Sequence, residues 1–178
     1  MARRYRNQFL PRTQSRPNRA WASAVHTDFQ AVAAGSKVLL GSFSLSNTNI
    51  DETALRVVGG ISIVSDQLSS AESQIGAFGM IVVSDTAAAA GVASIPGPVT
   101  DGGDDGWFVY QSFARQIQNA SSVGVMPNFA EWYPIDSKAR RIVAEGQVIA
   151  MVVENASATH GFSIARALRL LSQVRGTR

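Results

Sequence analysis

The first nineteen residues, MARRYRNQFLPRTQSRPNR, carry side chains that are suited to binding phosphate. They contain six arginines and neither a lysine nor an acidic residue. An arginine guanidinium is planar and contacts phosphate oxygens through two parallel hydrogen bonds, and a tyrosine ring can stack on an unpaired base. The predicted nucleic-acid-binding residues are therefore Arg3, Arg4, Tyr5, Arg6, Arg12, Arg16 and Arg19.

We interpret residues 1–20 as an extended N-terminal arm. Pro11, Pro17 and many polar side chains leave this segment too little apolar surface to fold alone. Fully extended, it would reach ~60 Å. If all six arginines met phosphates, the log–log slope of binding against salt would be roughly −4 on a single strand and roughly −5 on a duplex. No base-reading motif is present, so we expect such binding to be insensitive to nucleic-acid sequence.

Other interpretations of the arm stay open. It is equally compatible with packing on a neighbouring subunit, and a solvated tail is a further alternative. An organellar presequence is a further alternative, because residues 1–27 are Arg-rich and free of acids. Pro11 and Pro17 argue against that alternative, since each interrupts an amphipathic helix. We expect no secretory signal, because no long apolar stretch follows the first arginines.

The rest of the chain has the opposite charge balance. The whole chain carries +3, yet the part after the arm has ten basic against thirteen acidic residues, a net −3. This asymmetry indicates a polyanionic partner. Charged residues make up only 16% of the chain, against the usual ~25%, which suits a subunit surface that neighbours cover. The chain has no cysteine, which excludes a disulfide framework and a thiol nucleophile.

The part after the arm is dominated by an apolar–polar alternation with a period of two, which is typical of half-buried strands. IGAFGMIVVS is continuously apolar instead and predicts a strand that is covered on both faces. GFSIARALRLLSQV fits both periods, and we favour a strand over a helix there. The other predicted strands are AWASAVHTDF, VLLGSFSLS, LRVVGGISIVS, GWFVYQSFARQIQ, FAEWYPI and QVIAMVVEN.

One short helix is predicted in SDTAAAAGVA, where Asp85 can cap the first turn and Gly91 can end the helix. IDSKARRIVAEG predicts a second helical turn, capped by Asp136 or Ser137. Within it, KARR at 138–141 is a second basic group, for which we expect a solvated turn, with a nucleic-acid patch as the alternative. SIPGPVTDGGDDG predicts a long loop.

These elements predict an all-β fold: an eight-stranded antiparallel Greek-key or jelly-roll sandwich with one short helix. Tight two-residue hairpin signals are scarce, and long crossing connections suit such a sandwich better than an up-and-down barrel. We expect a single β-sandwich domain over residues 21–178. No run approaches eighteen apolar residues, so no membrane-spanning segment is expected.

Metal and catalytic sites are not predicted. The acids Asp101, Asp104 and Asp105 do not match the ligand spacing of a calcium loop and indicate a turn. The two histidines, His26 and His160, are far apart in sequence. Two histidines alone cannot form a zinc site, which would need carboxylate ligands as well. A serine nucleophile with a histidine base stays open, although no GxSxG elbow is present.

An arginine-rich arm followed by a loop-rich, eight-stranded β domain resembles the coat proteins of small viruses and phages. The resemblance is carried by MARRYRNQFLPRTQSRPNR, by the strand series from Trp21 to Leu171, and by GAFGMIVVSDTAAAAGVASIPGPVTDGGDDGWFVYQSF, which looks like stretches of phage-type virion proteins. It implies a single jelly roll whose basic arm faces inward, where it neutralises packaged genome or threads under adjacent subunits.

The expected function is therefore that of a virion structural protein that self-assembles into a capsid shell and resides in the virion. Its expected partners are copies of itself, viral nucleic acid and other virion proteins, but no membrane, and no cofactor or enzymatic activity is expected. Three alternatives stay open: an accessory virion protein, a free nucleic-acid-binding module, and a β-sandwich hydrolase that acts through the acids of the 101–105 loop.

Overall fold

The computed structural model of the protein describes residues 19–44, 52–65, 73–103, 106–116 and 131–174. Within these ranges the chain forms eight strands, one α-helix and one 3-10 turn. The strands are β1 (Arg19–Val32), β2 (Lys37–Phe43), β3 (Glu52–Ser65), β4 (Ser73–Ser84), β5 (Trp107–Gln116), β6 (Glu131–Ile142), β7 (Gln147–Asn155) and β8 (Phe162–Val174). The helix α1 is Asp85–Ala90, and the 3-10 turn is Val92–Ser94.

The strands form two antiparallel four-stranded sheets. Sheet A has the order β1-β8-β3-β6, and sheet B has the order β2-β7-β4-β5. Along the chain only β4 and β5 are consecutive strands of one sheet, so every other connection passes to the opposite sheet. This is a jelly roll, and it confirms the predicted all-β sandwich. Residues 1–18 of the predicted arm, which was residues 1–20, lie outside the described residues, and its last two residues begin β1.

The main core lies between the two sheets, and β3 and β8 contribute the apolar half of their alternating residues to it. Leu55, Val57, Ile61 and Ile63 of β3 are all buried, as their spacing predicts. The same inward series on β8 includes Phe162, whose ring meets Phe113 edge-on at a centroid distance of 5.2 Å. Aromatic pairs with this geometry stabilise a core beyond their buried area.

A second, smaller core covers the outer surface of sheet B. It consists of Ile81, Ile95, Trp107, Ala150 and Val152, with Leu39, Val83 and Val92 packed against it. The segment between β4 and β5 supplies Val92 and Ile95, so it lies on the sheet as a lid. Because β4 is covered by the main core on one face and by this segment on the other, its sequence is continuously apolar. The prediction that this strand is covered on both faces is confirmed.

The β4–β5 segment is fastened to sheet B by polar contacts. The Glu154 carboxylate accepts hydrogen bonds from the backbone amides of Val99, at 2.8 Å, and Thr100, at 3.1 Å. Lys37, which is opposite Glu154 on β2, donates from Nζ to the Ile95 carbonyl. The backbone of this loop is thereby held by two side chains of the sheet beneath it.

The predicted helix forms, but its cap is a different residue. Ser84 is extended, with ψ 148°, and its hydroxyl accepts a hydrogen bond from the Ala87 amide at 3.1 Å. Asp85 is the first helical residue, so the prediction that it caps the helix is wrong. Gly91 ends the helix with φ +96°, as predicted. Glycine suits this position because a side chain rarely adopts positive φ.

The second predicted helical turn is wrong, because IDSKARRI lies inside the extended strand β6. Both proposed caps have partners in the tertiary structure instead. The Asp136 carboxylate pairs with Arg56 on β3, and the Ser137 hydroxyl donates to the Phe108 carbonyl at 2.5 Å. Pro134 lies on the edge strand of sheet A, the position in a sheet where proline is tolerated.

Candidate nucleic-acid interface

Most of the predicted nucleic-acid-binding residues lie outside the described part of the chain. These are Arg3, Arg4, Tyr5, Arg6, Arg12 and Arg16. Arg19 is the first residue of β1, and its backbone pairs with Gln173 of β8. The chain preceding Arg19 therefore joins the sandwich at one end of sheet A, and this fixes where a binding arm would be attached.

The same end of sheet A carries a group of cations on its outer surface. We call this group the basic face, and its members are Arg56 of β3, Lys138 and Arg140 of β6, and Arg169 of β8. All four are exposed. Their strand positions alternate with buried residues such as Val57 and Leu170, so the side chains point away from the core.

Strand pairing brings these four cations together. One row across the sheet runs Arg140, Ala54, Gln173 and Arg19. The next row holds Lys138 and Arg56, and the third holds Arg169. Three rows at alternate residues span about 14 Å along the strands, and four strands span about 14 Å across them. The basic face is therefore a compact patch, and Arg19 starts β1 in its outermost row.

The basic face contains one acidic residue, Asp136, which forms an ion pair with Arg56. The Arg56 guanidinium donates to both oxygens of Asp136, with Nε–Oδ1 and Nη2–Oδ2 distances of 3.1 Å. The hydrogen bond to Arg56 lowers the pKa of Asp136, and the same bond raises the pKa of Arg56. Among the residues whose side chains the structure describes, Lys138, Arg140 and Arg169 make no ion pair.

The sequence pattern identified only two of the four members of the basic face, Lys138 and Arg140, within the KARR segment. KARR predicted a solvated turn with a nucleic-acid patch as the alternative, and the turn is wrong because the segment is a strand. Alternation along β6 puts Lys138 and Arg140 on the outer surface and turns Ala139 and Arg141 to the other side. Arg56 and Arg169 were not singled out, although the polar phase of each strand contains them, because strand order is needed to bring them beside β6.

Among the described residues no group of three or more His, Cys, Asp or Glu side chains could hold a metal ion. Asp101 is in the β4–β5 loop, whereas Asp104 and Asp105 lie outside the described residues, as does the side chain of His26. No helix in the described ranges is long and apolar enough to cross a membrane.

Comparison with known proteins gives no sequence family. No family model matches the chain, and no curated protein matches it. Among solved structures, a derived T=1 particle of infectious bursal virus aligns with 11% identity and a TM-score of 0.40. A mutant VP2 protein of infectious bursal disease virus, also in derived T=1 particles, aligns with 12% identity and the same TM-score. Each alignment covers 92% of this chain, which spans only 37% of either viral chain.

Proposed function

We propose that the protein is a structural subunit of a virion, which assembles with copies of itself into a capsid shell. One structural relationship carries the proposal: an arginine-rich segment joins an eight-stranded jelly roll at Arg19, beside a patch of cations on sheet A. In this proposal the arm residues Arg3, Arg4, Tyr5, Arg6, Arg12, Arg16 and Arg19 contact the packaged genome or neighbouring subunits.

The physical logic is that of many weak contacts acting together. A closed shell repeats one subunit through symmetric contacts, and each contact can be weak when several neighbours act at once. A sandwich with few charges suits such contacts, and the arm adds a salt-dependent attraction to polyanions. The proposal places the protein in the virion, with viral nucleic acid and other virion proteins as further partners. It assigns the chain no cofactor, no membrane contact and no catalytic role.

The proposal is tested by the size of the purified full-length chain. Sedimentation velocity and negative-stain microscopy should show closed particles, either alone or after single-stranded nucleic acid is added. Replacing Arg3, Arg4, Arg6, Arg12 and Arg16 with glutamine should reduce the nucleic acid in these particles or shift their assembly to other salt concentrations. A chain that stays monomeric at high concentration, with and without polyanion, would overturn the proposal and favour a free nucleic-acid-binding module.

A further inference from the structure

The two outer sides of the sandwich carry opposite charge. On sheet A, the basic face has four cations and one acid, Asp136, which is paired with Arg56. The opposite side consists of the outer surface of β2 and β7, the β4–β5 segment with α1, and the turn between β6 and β7. The described ionisable residues there are Asp85, Asp101, Glu145, Glu154 and Lys37. The described charges therefore sum to +3 on one side and −3 on the other.

This opposition is built into rigid parts of the fold. Lys138, Arg140, Arg56 and Arg169 project from central or edge strands of sheet A, where the backbone is fixed by ladder hydrogen bonds. On the other side Asp85 begins α1, and its amide donates to the Gly146 carbonyl at 2.8 Å, which ties the helix to the turn that carries Glu145. The charge separation is therefore a property of the folded domain and does not depend on the arm.

We propose that the basic face of sheet A binds the phosphate backbone of nucleic acid and turns this side of each subunit toward the packaged genome. The inference rests on the proposed function for its orientation, because only a shell has an inside. Phosphate binding releases condensed counterions and is favoured wherever cations are grouped. The acidic side, by the same electrostatics, is repelled by nucleic acid and faces outward.

Two observations favour nucleic acid over an acidic protein partner. Lys138 and Arg140 are two residues apart on one strand, about 7 Å, and Arg56 is opposite Lys138 on the neighbouring strand. The cations therefore form an open array, which suits a chain of repeated negative charges better than a single carboxylate. The array also begins in the row where the arginine-rich segment enters β1. The arginine-rich segment is therefore attached to the domain next to the basic face.

Binding to a fluorescent single-stranded oligothymidine, measured by anisotropy across a salt series, tests the face directly. The variant Lys138→Gln/Arg140→Gln/Arg169→Gln should bind more weakly, and the log–log salt slope should fall in magnitude by about 2, near 0.7 for each lost contact. Arg141→Gln is the matched control, because it removes one cation next to Arg140 from the other side of β6 and should leave the slope unchanged.

Folding is checked by thermal unfolding of each variant. If the triple variant unfolds at a lower temperature than the wild type, the salt slopes of the single variants Arg140→Gln and Arg141→Gln are compared instead. These two arginines lie on opposite sides of β6, so only Arg140→Gln should reduce the slope. Equal effects of these two substitutions, or an unchanged slope in the triple variant, would overturn the proposal.

Whether the basic face points toward the genome is tested in assembled particles. The measured quantity is their nucleic-acid content, which is separate from whether particles form. Particles of the triple variant should form but contain less nucleic acid for each subunit, measured by absorbance ratio after nuclease treatment. Triple-variant particles with wild-type nucleic-acid content would overturn this inference while leaving the proposed function intact. Loss of assembly in the absence of nucleic acid would instead mean that the basic face meets the acidic side of another copy, and would also overturn it. If the wild type forms no particles, the proposed function fails, and the oligothymidine slopes still decide whether the face binds nucleic acid.

Discussion

The guanidinium of Arg166 on sheet A donates from Nη2 to the backbone carbonyl of Leu40 on sheet B. Arg166 belongs to the inward series of β8 and is buried with only 7% of its surface exposed. Its acceptor is available because β2 bulges at Leu40, the residue skipped when the pairing with β7 shifts between Leu39 and Gly41. A bulge leaves its extra residue out of the ladder, so the arginine satisfies a carbonyl that the sheet cannot.

The other edge of the sandwich repeats this relationship with different residues. β5 bulges at Phe108, where the pairing with β4 shifts between Met80 and Ile81. The Ser137 hydroxyl of β6 donates to the Phe108 carbonyl at 2.5 Å. At both edges, therefore, a side chain of sheet A hydrogen-bonds a bulged residue of sheet B. These two bonds tie sheet A to the two edge strands of sheet B.

We predict that Arg166→Ala lowers the free energy of unfolding by about 2–4 kcal/mol, because it leaves a cavity and removes the donor to the Leu40 carbonyl. Among the described residues Arg166 has no acidic partner, and its burial lowers its pKa. The substitution removes the desolvation cost of this charge, which offsets part of the loss. Urea unfolding measures the change. The control is Arg169→Ala, an exposed arginine three residues away, which should stay within about 0.5 kcal/mol. Equal effects of the two variants would contradict the assigned role.

We predict that Gly59→Ala is among the most damaging single substitutions in the protein, with a loss of about 4 kcal/mol or more. A Cβ on Gly59 would lie 1.9 Å from the Ala167 carbonyl oxygen, and the residue has φ +144°. Gly35→Ala is the control, because Gly35 also has positive φ, +61°, but has open space around it. It should lose only about 1 kcal/mol of unfolding free energy. Denaturant unfolding, or soluble yield if Gly59→Ala does not fold, distinguishes the two.

We predict that Glu154→Ala loosens the β4–β5 loop without unfolding the sandwich. The substitution removes the acceptor of the Val99 and Thr100 amides, so these two should exchange with solvent at least tenfold faster. Hydrogen exchange followed by NMR or mass spectrometry measures this change. Amides in the centre of β7, such as that of Met151, provide the internal control and should keep their protection. Uniform acceleration across both regions would show global destabilisation instead.

We predict that Arg56→Gln raises the pKa of Asp136, because the hydrogen bond from Arg56 is the main cause that lowers it. Lys138→Gln should raise it less, since Lys138 acts on Asp136 only through its charge. Carboxyl carbon shifts followed by NMR during a pH titration measure both values. The folded-state pKa is depressed, so any stabilisation by the pair is present above the unfolded-state pKa and is lost as pH falls through the folded-state pKa. A larger shift in Lys138→Gln than in Arg56→Gln would contradict this assignment.

The strands were predictable because each carries its own periodic signal. β3 and β8 alternate so regularly that their inward residues follow from the sequence, and the apolar run of β4 indicated a cover on both faces. β6 was mispredicted over its second half, because Asp136 and Ser137 are good local caps and KARR is a poor strand sequence. The ion pair with Arg56 on the neighbouring strand and the hydrogen bond to Phe108 on the opposite sheet outweigh that local preference.

The sequence by itself determined the fold class and the buried side of regular strands such as β3 and β8, because these depend on composition and on neighbours two residues apart. Arg166 also falls in the alternating series of β8 whose apolar members are buried, so the sequence already indicated that its side chain points inward. These members are Phe162, Ile164, Leu168 and Leu170. Only the tertiary structure decided what lies opposite each residue. The acceptor of Arg166 is 126 residues away, and the basic face gathers cations from three strands that are adjacent only after the chain has crossed repeatedly between sheets. Such contacts depend on strand order and on bulges, and the apolar–polar periodicity of the sequence predicts neither of them.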